Sequence, residues 1–483
     1  MEDTATSSRP AAPARPGPEG SPPARSIWRG VLRHDHFRWV WFAAFGSSLG
    51  AWMETVGVQW AMAQATLDPA WHDAGKPGAA IMMGYLAVAQ MAPMLLFGLL
   101  AGIAVDRFNR KRLLIVTQVL LMAVAAALTL ASALHILTPW VLIVLGAANG
   151  IVWAFNMPAW QVLTPRLVPR EELADAITLN GMQFNLARAV GPALGGLLMA
   201  RFGPTVMFAV NTLSFLGLIL AVARTAPTPA AGSDGTHPWR QILDAARYAL
   251  GTKGPLLLIL ASAVFCLLGT PFLRELPIFV KAVYGKEEAV FGLLLGFMGI
   301  GAVAAVFLLR LIPPWYPKHH FIPLSLTLAG ITITGLCAAQ DWIAAAAWIT
   351  VAGVFWMWGF NSIASALQLL VPDHLRGRVL SVNNIISFGA MGLGPLLAGW
   401  IAEGVSGSSE SGSGAQIGAG VLALALVAAG VVMLTWREPE VDGLKPGDPG
   451  YERRPGLLRG ITAAAHRPAR TKADPPVSQE TIP

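Results

Sequence analysis

The sequence predicts an all-α integral membrane protein, with twelve transmembrane helices in two pseudo-symmetric six-helix bundles. Three observations carry this. The 483-residue chain is 54% hydrophobic and only 13% charged, with mean hydropathy +0.56, whereas soluble domains carry about 25% charged residues. Twelve apolar stretches reach the roughly 20 residues that a helix needs to cross hydrocarbon: 38–64, 80–104, 113–134, 140–163, 177–200, 206–223, 256–279, 290–312, 321–340, 342–370, 379–402 and 417–436. They lack the apolar/polar alternation of a barrel, and backbone groups in lipid must be satisfied internally, so they read as helices. The third observation is an internal repeat, taken up below.

The ends stand apart from these spans. Residues 1–36 and 438–483 are rich in Pro, Gly and Arg and are expected to be disordered cytoplasmic tails without a cleavable signal. Of the 34 Lys and Arg, only Lys76, Arg201, Arg274, Lys281 and Lys286 fall on the face opposite the termini, and Arg188 alone lies deep in a span. The positive-inside rule therefore places both termini of this multi-pass protein in the cytoplasm. The formal charge of +7 suits anionic lipid headgroups. No aromatic-interleaved basic patch points to nucleic acid. Cys266 and Cys337 both sit in apolar spans, which argues against a disulfide framework or a thiolate metal site.

Residues 224–255 form the cytoplasmic linker between a bundle at 37–223 and a second at 256–437. Within the linker, Trp239, Ile242, Leu243, Ala246 and Leu250 share one helical face, the pattern either of a helix lying on the membrane surface or of a solvated linker helix. The linker divides the spans six and six. A shift of 203 positions places Val168-Pro169 on Val371-Pro372, Asn180 on Asn383, Gly191-Pro192 on Gly394-Pro395, Leu194 on Leu397 and Gly196 on Gly399. The matches are helix-breaking or small residues, which apolar bias alone would not align. A parallel repeat implies two bundles related by an axis along the membrane normal, with a path between them.

The loop after span two reads Gly102-Ile-Ala-Val-Asp106-Arg107-Phe-Asn109-Arg110-Lys111-Arg112. It resembles the G-x-x-x-D-R-x-G-R-R/K loop of the major facilitator superfamily. "GAWMETVGVQWA", "TPRLVPREELADAITLNGMQFNLARAVGPALGG" and "VPDHLRGRVLSVNN" are similar to the bacterial efflux branch of that superfamily, which includes enterobactin exporters and macrolide-efflux proteins. The resemblance covers residues 36–437. It implies a gate in which Gly102, Asp106, Arg107, Arg110, Lys111 and Arg166 hold the cytoplasmic ends together, with Asp106 capping helix amides or pairing with Arg166; the plain alternative is a basic anchor at the membrane face. Asn109 stands at the usual Gly, where a left-handed backbone is expected. In the second copy Leu309 and Arg310 replace the Asp-Arg pair.

Ala187-x-x-x-Gly191-Pro192-x-x-Gly195-Gly196 is similar to the span-five signature of superfamily exporters, which implies a hinge or a sealed helix contact, with Gly394 and Pro395 as its repeat mates; ordinary small-residue packing is the alternative. Arg188 must face the protein interior or a wet cavity. Its candidate partner is Glu54, where the family usually writes Gln, and the two form either a proton-coupling site or a static ion pair. The Arg that the superfamily carries in span four has no counterpart here; Gly146 stands in its place.

In this fold spans one, four, seven and ten surround the cavity, which assigns Trp52, Gln59, Asn149, Trp153, Asn156, Phe265, Trp356, Phe360 and Asn361 to its lining. Aromatics with a few amides suit a bulky amphipathic ligand; each Trp also fits packing or an interfacial anchor. The spans hold no nucleophile elbow, paired-acid motif or His pair, so an enzyme is not expected, and no metal or cofactor is implied. The expected function is export of a siderophore- or drug-like small molecule in exchange for protons, by a monomer in lipid. The alternatives are an importer and, in another class, a non-transporting sensor or scaffold.

Overall fold

The computed structural model describes residues 30–163, 167–225, 238–312, 318–406 and 412–435, in which all regular structure is helical. The helices are α1 (Asp35–Thr66), the short α2 (Pro69–Asp73), α3 (Ala79–Arg107), α4 (Arg110–Ala133), α5 (Pro139–Leu163), α6 (Leu173–Ala223), α7 (Pro238–Gly251), α8 (Lys253–Gly269), α9 (Pro271–Ile278), α10 (Glu288–Leu308), α11 (Lys318–Ala338), α12 (Trp342–Leu370), α13 (Asp373–Ser406) and α14 (Gly412–Met433). Ten segments among the described residues are long and apolar enough to cross a membrane.

Two departures from the expected spans have local causes. Spans five and six run together as the 51-residue α6, bent at Gly203, where φ is 82° and Pro204 follows. Glycine takes that backbone without a Cβ clash, and proline starts the next helical segment with its missing N–H unneeded, so no loop intervenes. The first span, α1, is not among the ten apolar segments, because Asp35, Arg38, Glu54, Gln59 and Gln64 dilute it.

The ordered chain also starts earlier than the expected boundary at 36. Val31 is fully buried with Phe37, Trp41, Val168, Ala176 and Leu179. Arg33 and His34 both reach the Glu172 carboxylate, His34 through Nε2 at 2.8 Å. The remainder of the expected tails, 1–29 and 436–483, lies outside the described residues.

Packing follows the repeat. α1 lies against α6, and α3 against α5; between the two halves α3 packs on α13 and α6 on α10. The repeat mates make equivalent contacts. A Cβ on Gly191 would stand 2.7 Å from the Trp52 Cβ of α1, while its mate Gly394 abuts the Leu267 carbonyl of α8. Gly196 would meet the Gly292 Cα of α10 at 2.8 Å, and Gly399 the Ala80 carbonyl of α3 at 2.8 Å. The same shift relates Gly150, against the Gln90 carbonyl, to Gly353, against the Met298 carbonyl, which extends the repeat to α5 and α12. Missing side chains at these positions let backbones approach, the main attractive device between helices in lipid.

Apolar side chains form both the interior and an outer shell. Phe265, Phe272, Phe279 and Phe291 are buried, whereas Leu96, Leu213 and Leu311 are largely exposed, as a surface facing lipid requires. The linker helix α7 docks on α13 through Ala245 and Ala249, leaving Leu243 and Leu250 exposed. Of the expected apolar face, Leu243 and Leu250 are thus exposed and Ala246 is half-buried, while the side chains of Trp239 and Ile242 lie outside the described residues.

Candidate functional site

Glu54 occupies the middle of α1 and is 9% exposed. Its carboxylate accepts from Asn149 Nδ2 of α5 at 3.2 Å and from Asn211 Nδ2 of α6. α6 comes this close because Gly50 and Gly57 of α1 leave room for Asn211, Ser214 and Met207. Two further bonds tie α1 to α6: Gln183 Nε2 donates to Ser48 Oγ at 2.9 Å and Trp41 Nε1 to the Leu179 carbonyl at 3.2 Å. The carboxylate therefore has hydrogen-bond partners but no neutralising cation among the described residues.

Arg188 is not that cation. Its Nη2 donates to Asn185 Oδ1 at 3.1 Å and approaches Met357 Sδ of α12 at 3.6 Å. The expected ion pair is thus absent in this conformation: Glu54 is held by two amides, and Arg188 reaches across to the second half of the chain. The intervening small residues face elsewhere, Gly191 and Gly195 toward Trp52 and Met53 of α1 and Gly196 toward α10. Pro192 lies in this stretch, and a Cβ on Gly292 would stand 2.7 Å from its carbonyl oxygen. Span five therefore seals against two helices at once.

A third polar node joins the halves. Arg274 Nη1 of α9 donates to Gln90 Oε1 of α3 at 2.8 Å, and to the Gln59 side-chain oxygen at 3.2 Å with the Gln59 amide donating to the Leu273 carbonyl at 3.2 Å. Nearby, Trp60 of α1 stacks on Phe291 of α10 with centroids 6.1 Å apart, and Lys281 Nζ lies 5.8 Å over the same Trp60 ring. Glu403 of α13 accepts from the Gly78 amide at 2.9 Å. These contacts gather at the end of the molecule that carries the α1–α3 connection.

The proposed cavity residues divide. Trp52 is half-buried and lies 6.2 Å from the exposed Phe184 ring, while Trp153, Phe360 and Asn361 are exposed and Asn149 is partly so. Phe265 and Trp356, with centroids 4.7 Å apart, are core instead, joined by Phe272. Asn156 is buried and donates to Thr117 Oγ at 2.9 Å, tying α5 to α4, and Gln59 belongs to the Arg274 node. Sequence reasoning placed these on the cavity by span number alone, which does not fix the helical face.

At the expected gate, the surroundings of Gly102, the side chains of Asp106 and Arg107, and all of Arg166 lie outside the described residues. Asn109 does not take a left-handed backbone: its φ is −62°, and its side chain caps α4 by accepting from the Arg112 amide at 3.1 Å. Asn suits that position because its oxygen satisfies an amide left free at the helix start. Lys111 Nζ donates to the Ala223 carbonyl at 2.7 Å and to the Thr225 carbonyl, completing the C-terminal end of α6 within its own half. Arg110 Nε is buried and meets no hydrogen-bond partner among the described residues.

Asn211, Gln90, Asn185 and Met357 escaped the sequence reading as partners, and Arg274 entered only as an outer basic residue. Asn211 did leave a signal, since it is a strongly polar residue in the middle of an apolar span. Met357 left none.

Relatives share this framework. The chain is 24% identical over 366 residues to the staphyloferrin A transporter of Staphylococcus aureus, covering 74% of this chain and 88% of that one. It is 22% identical over 336 residues to macrolide efflux protein A of Streptococcus pyogenes (68% and 82% covered). It is 25% identical over 381 residues to the multidrug efflux pump Tap of Mycolicibacterium fortuitum (75% and 88% covered). Among solved structures, a bacterial homologue of the human lysosomal transporter Spinster, inward-facing and unoccupied, superposes with TM-score 0.63 at 16% identity, covering 86% of this chain and 96% of that one. A D-xylose-proton symporter gives TM-score 0.61 at 14% identity, with 84% and 99% covered. Residues 27–451 match the family described as transmembrane secretion effectors, so the chain belongs to this efflux family of the major facilitator superfamily, whose members are transporters and not enzymes.

Proposed function

We propose that this protein is a secondary active exporter of a bulky amphipathic small molecule, siderophore- or drug-like, which it moves across the bacterial inner membrane by alternating access in exchange for protons. It acts as a monomer with both termini cytoplasmic. The helices make twelve crossings in two six-helix bundles: α6 counts twice because it turns back at Gly203, α8 and α9 count once, and the polar α1 is a crossing because it packs along α6.

One observation carries this reading. Among the described residues, a Cβ on Gly98 of α3 would meet only the Ile385 side chain, at 3.9 Å, whereas toward the other end the backbones of the two halves approach closely: Gly299 faces the Ala189 Cα, Gly196 faces Gly292, Gly399 faces Ala80 and a Cβ on Gly84 would stand 2.5 Å from the Leu396 Cα. In the proposed orientation this is the outer part. Tight closure there, with Arg188, Trp52, Phe184, Phe360 and Asn361 toward the other end, fits a transporter loading from the cytoplasm. Glu54 and Arg188 are the coupling residues, and the loop at Gly102, Asp106, Arg107, Arg110, Lys111 and Arg166 is the cytoplasmic gate. The export direction draws on the relatives, named for a siderophore, macrolides and multiple drugs.

Inverted membrane vesicles containing the full chain, supplied with a radiolabelled macrolide or with staphyloferrin A, test it. Accumulation that collapses when an uncoupler dissipates the proton gradient is expected. Gradient-driven accumulation in right-side-out vesicles alone would make the protein an importer, and no accumulation of either compound would remove this substrate class.

A further inference from the structure

α9 is an eight-residue helix set between two defects. On one side α8 ends at Gly269, and Thr270 passes the chain to Pro271. On the other, Phe279–Val283 form a single turn of π-helix, a wider turn that often marks functional sites. Pro271, which has no N–H, interrupts the backbone ladder at the first end, and at the second the Phe279 N–H still bonds to the Glu275 carbonyl before the pitch widens into the π-turn.

This segment carries two adjacent charged residues on different faces, since successive helical side chains diverge by about 100°. Arg274 points between the halves of the chain, to Gln59 and Gln90. Glu275 points into its own half, toward the Cys337 thiol of α11. It is completely buried, and neither carboxyl oxygen meets a hydrogen-bond partner among the described residues. Glu54, by contrast, has two amide donors. An ionised carboxylate with no donor and no cation is not tolerated in an apolar interior, whereas a neutral acid is.

The other titratable groups on elements around α9 are engaged or remote. α14 contributes none. On α13, Glu403 accepts from the Gly78 amide, and on α1 Glu54 is held by Asn149 and Asn211. α3 contributes Tyr85 and α10 Glu288, and Cys266 of α8 lies beside Ser262 and Ser387. Within the π-turn Lys281 sits over Trp60, and just beyond it Tyr284, whose phenol burial pushes up, lies near Asp341 and Gln416.

We propose that Glu275 is a second proton-binding site, exchanging its proton with water on the outer face only when Arg274 releases Gln59 and Gln90 and α9 moves. This rests on the orientation given under the proposed function. In the exchange a hydronium ion at the outer surface gives up a proton: an O–H bond breaks there, leaving water, and one forms on a Glu275 oxygen, neutralising the carboxylate. The reverse step returns the proton to water. Closure of the Arg274 node then seals the neutral acid in the apolar interior where Glu275 is fully buried.

Dicyclohexylcarbodiimide, which modifies protonated carboxyls in apolar surroundings, provides a test that needs no transported compound. Membrane vesicles of both orientations containing the full chain are treated with it, and modification of Glu275 is read by peptide mass spectrometry. Labelling should depend on the pH of the outer-face compartment, falling about tenfold per pH unit above its midpoint. It should ignore the pH on the cytoplasmic face. Arg274→Gln, which breaks the node, should speed labelling several-fold. Absence of labelling in the unaltered protein, indifference to pH, dependence on cytoplasmic pH, or no effect of Arg274→Gln would each overturn the proposal. Loss of export with the labelling pattern intact would strike the exporter reading and leave this site standing.

Discussion

The Asn211 amide of α6 donates to one Glu54 oxygen of α1 while Asn149 of α5 donates to the other, so three helices of the first half converge on one carboxylate. Neutral amides satisfy its hydrogen bonding without cancelling its charge. A carboxylate neutralised by a guanidinium would be fixed in one state, whereas one held by amides remains free to take up a cation or a proton. Among the described residues Arg188 has Asn185 and Met357 as its partners, which leaves it open to an anionic or carbonyl-rich group.

The amide cradle predicts an asymmetric stability series. Asn211→Leu removes the buried donor and leaves a carboxylate oxygen unmet, costing about 1–3 kcal/mol. Asn149→Ala should cost less, because its site is only partly buried. Adding Glu54→Gln to Asn211→Leu should recover part of the loss, since the group left unmet is then uncharged. Thermal unfolding in detergent measures all three, and an unchanged Tm for Asn211→Leu would show that the amide does not hold the carboxylate.

The seam between the halves predicts a conformational bias. Gly196→Val places branched carbons where the Gly292 Cα and the Glu288 carbonyl now stand within about 3 Å. The closed seam should be penalised by about 1–3 kcal/mol, the range found for overpacking, which in the proposed orientation and transport cycle shifts the population toward an outward-open state. Crosslinking between cysteines placed at Leu198 and Val290 should slow several-fold. A rate equal to that of the unaltered seam would show that the glycine contact does not control closure.

The proposed cytoplasmic gate predicts that Asp106→Asn leaves a folded, inserted protein that cycles poorly, because a gate charge matters in only one of two states. Lys111→Ala should act differently. Lys111 holds the end of α6 within one half, so its loss should lower Tm by the equivalent of about 1–3 kcal/mol while any remaining transport keeps its direction. Export assays at matched expression separate the two, and normal turnover in Asp106→Asn would remove the gate assignment.

The helical membrane class and the repeat were legible in the sequence because both are written in composition and spacing. Gly191 and Gly394, or Gly196 and Gly399, align in the chain and make equivalent contacts in space. Helical faces were less legible. Asn156 and Phe265 lie in the expected spans but turn toward Thr117 and Trp356, since an apolar helix in lipid gives few clues to which side meets protein. The proposed Glu54–Arg188 pairing rested on opposite charge alone, which cannot anticipate that amides on two other helices take the carboxylate.

The separation of Glu54 from Arg188 makes their roles testable apart. If Glu54 carries the coupling proton, Glu54→Gln should abolish the pH dependence of transport while substrate binding stays measurable, because its two amide neighbours can still bond to the Gln side chain. If Arg188 receives the substrate, Arg188→Ala should weaken binding, with little loss of stability since it breaks only the bonds to Asn185 and Met357. The double variant should show the sum of the two defects, as expected for residues that share no partner. Binding measured by calorimetry and efflux measured across a pH series in inverted vesicles report the two effects separately. Should the double variant regain full proton-driven efflux, the charges would be mutually compensating after all, and the coupling proton would have to travel through another carboxyl.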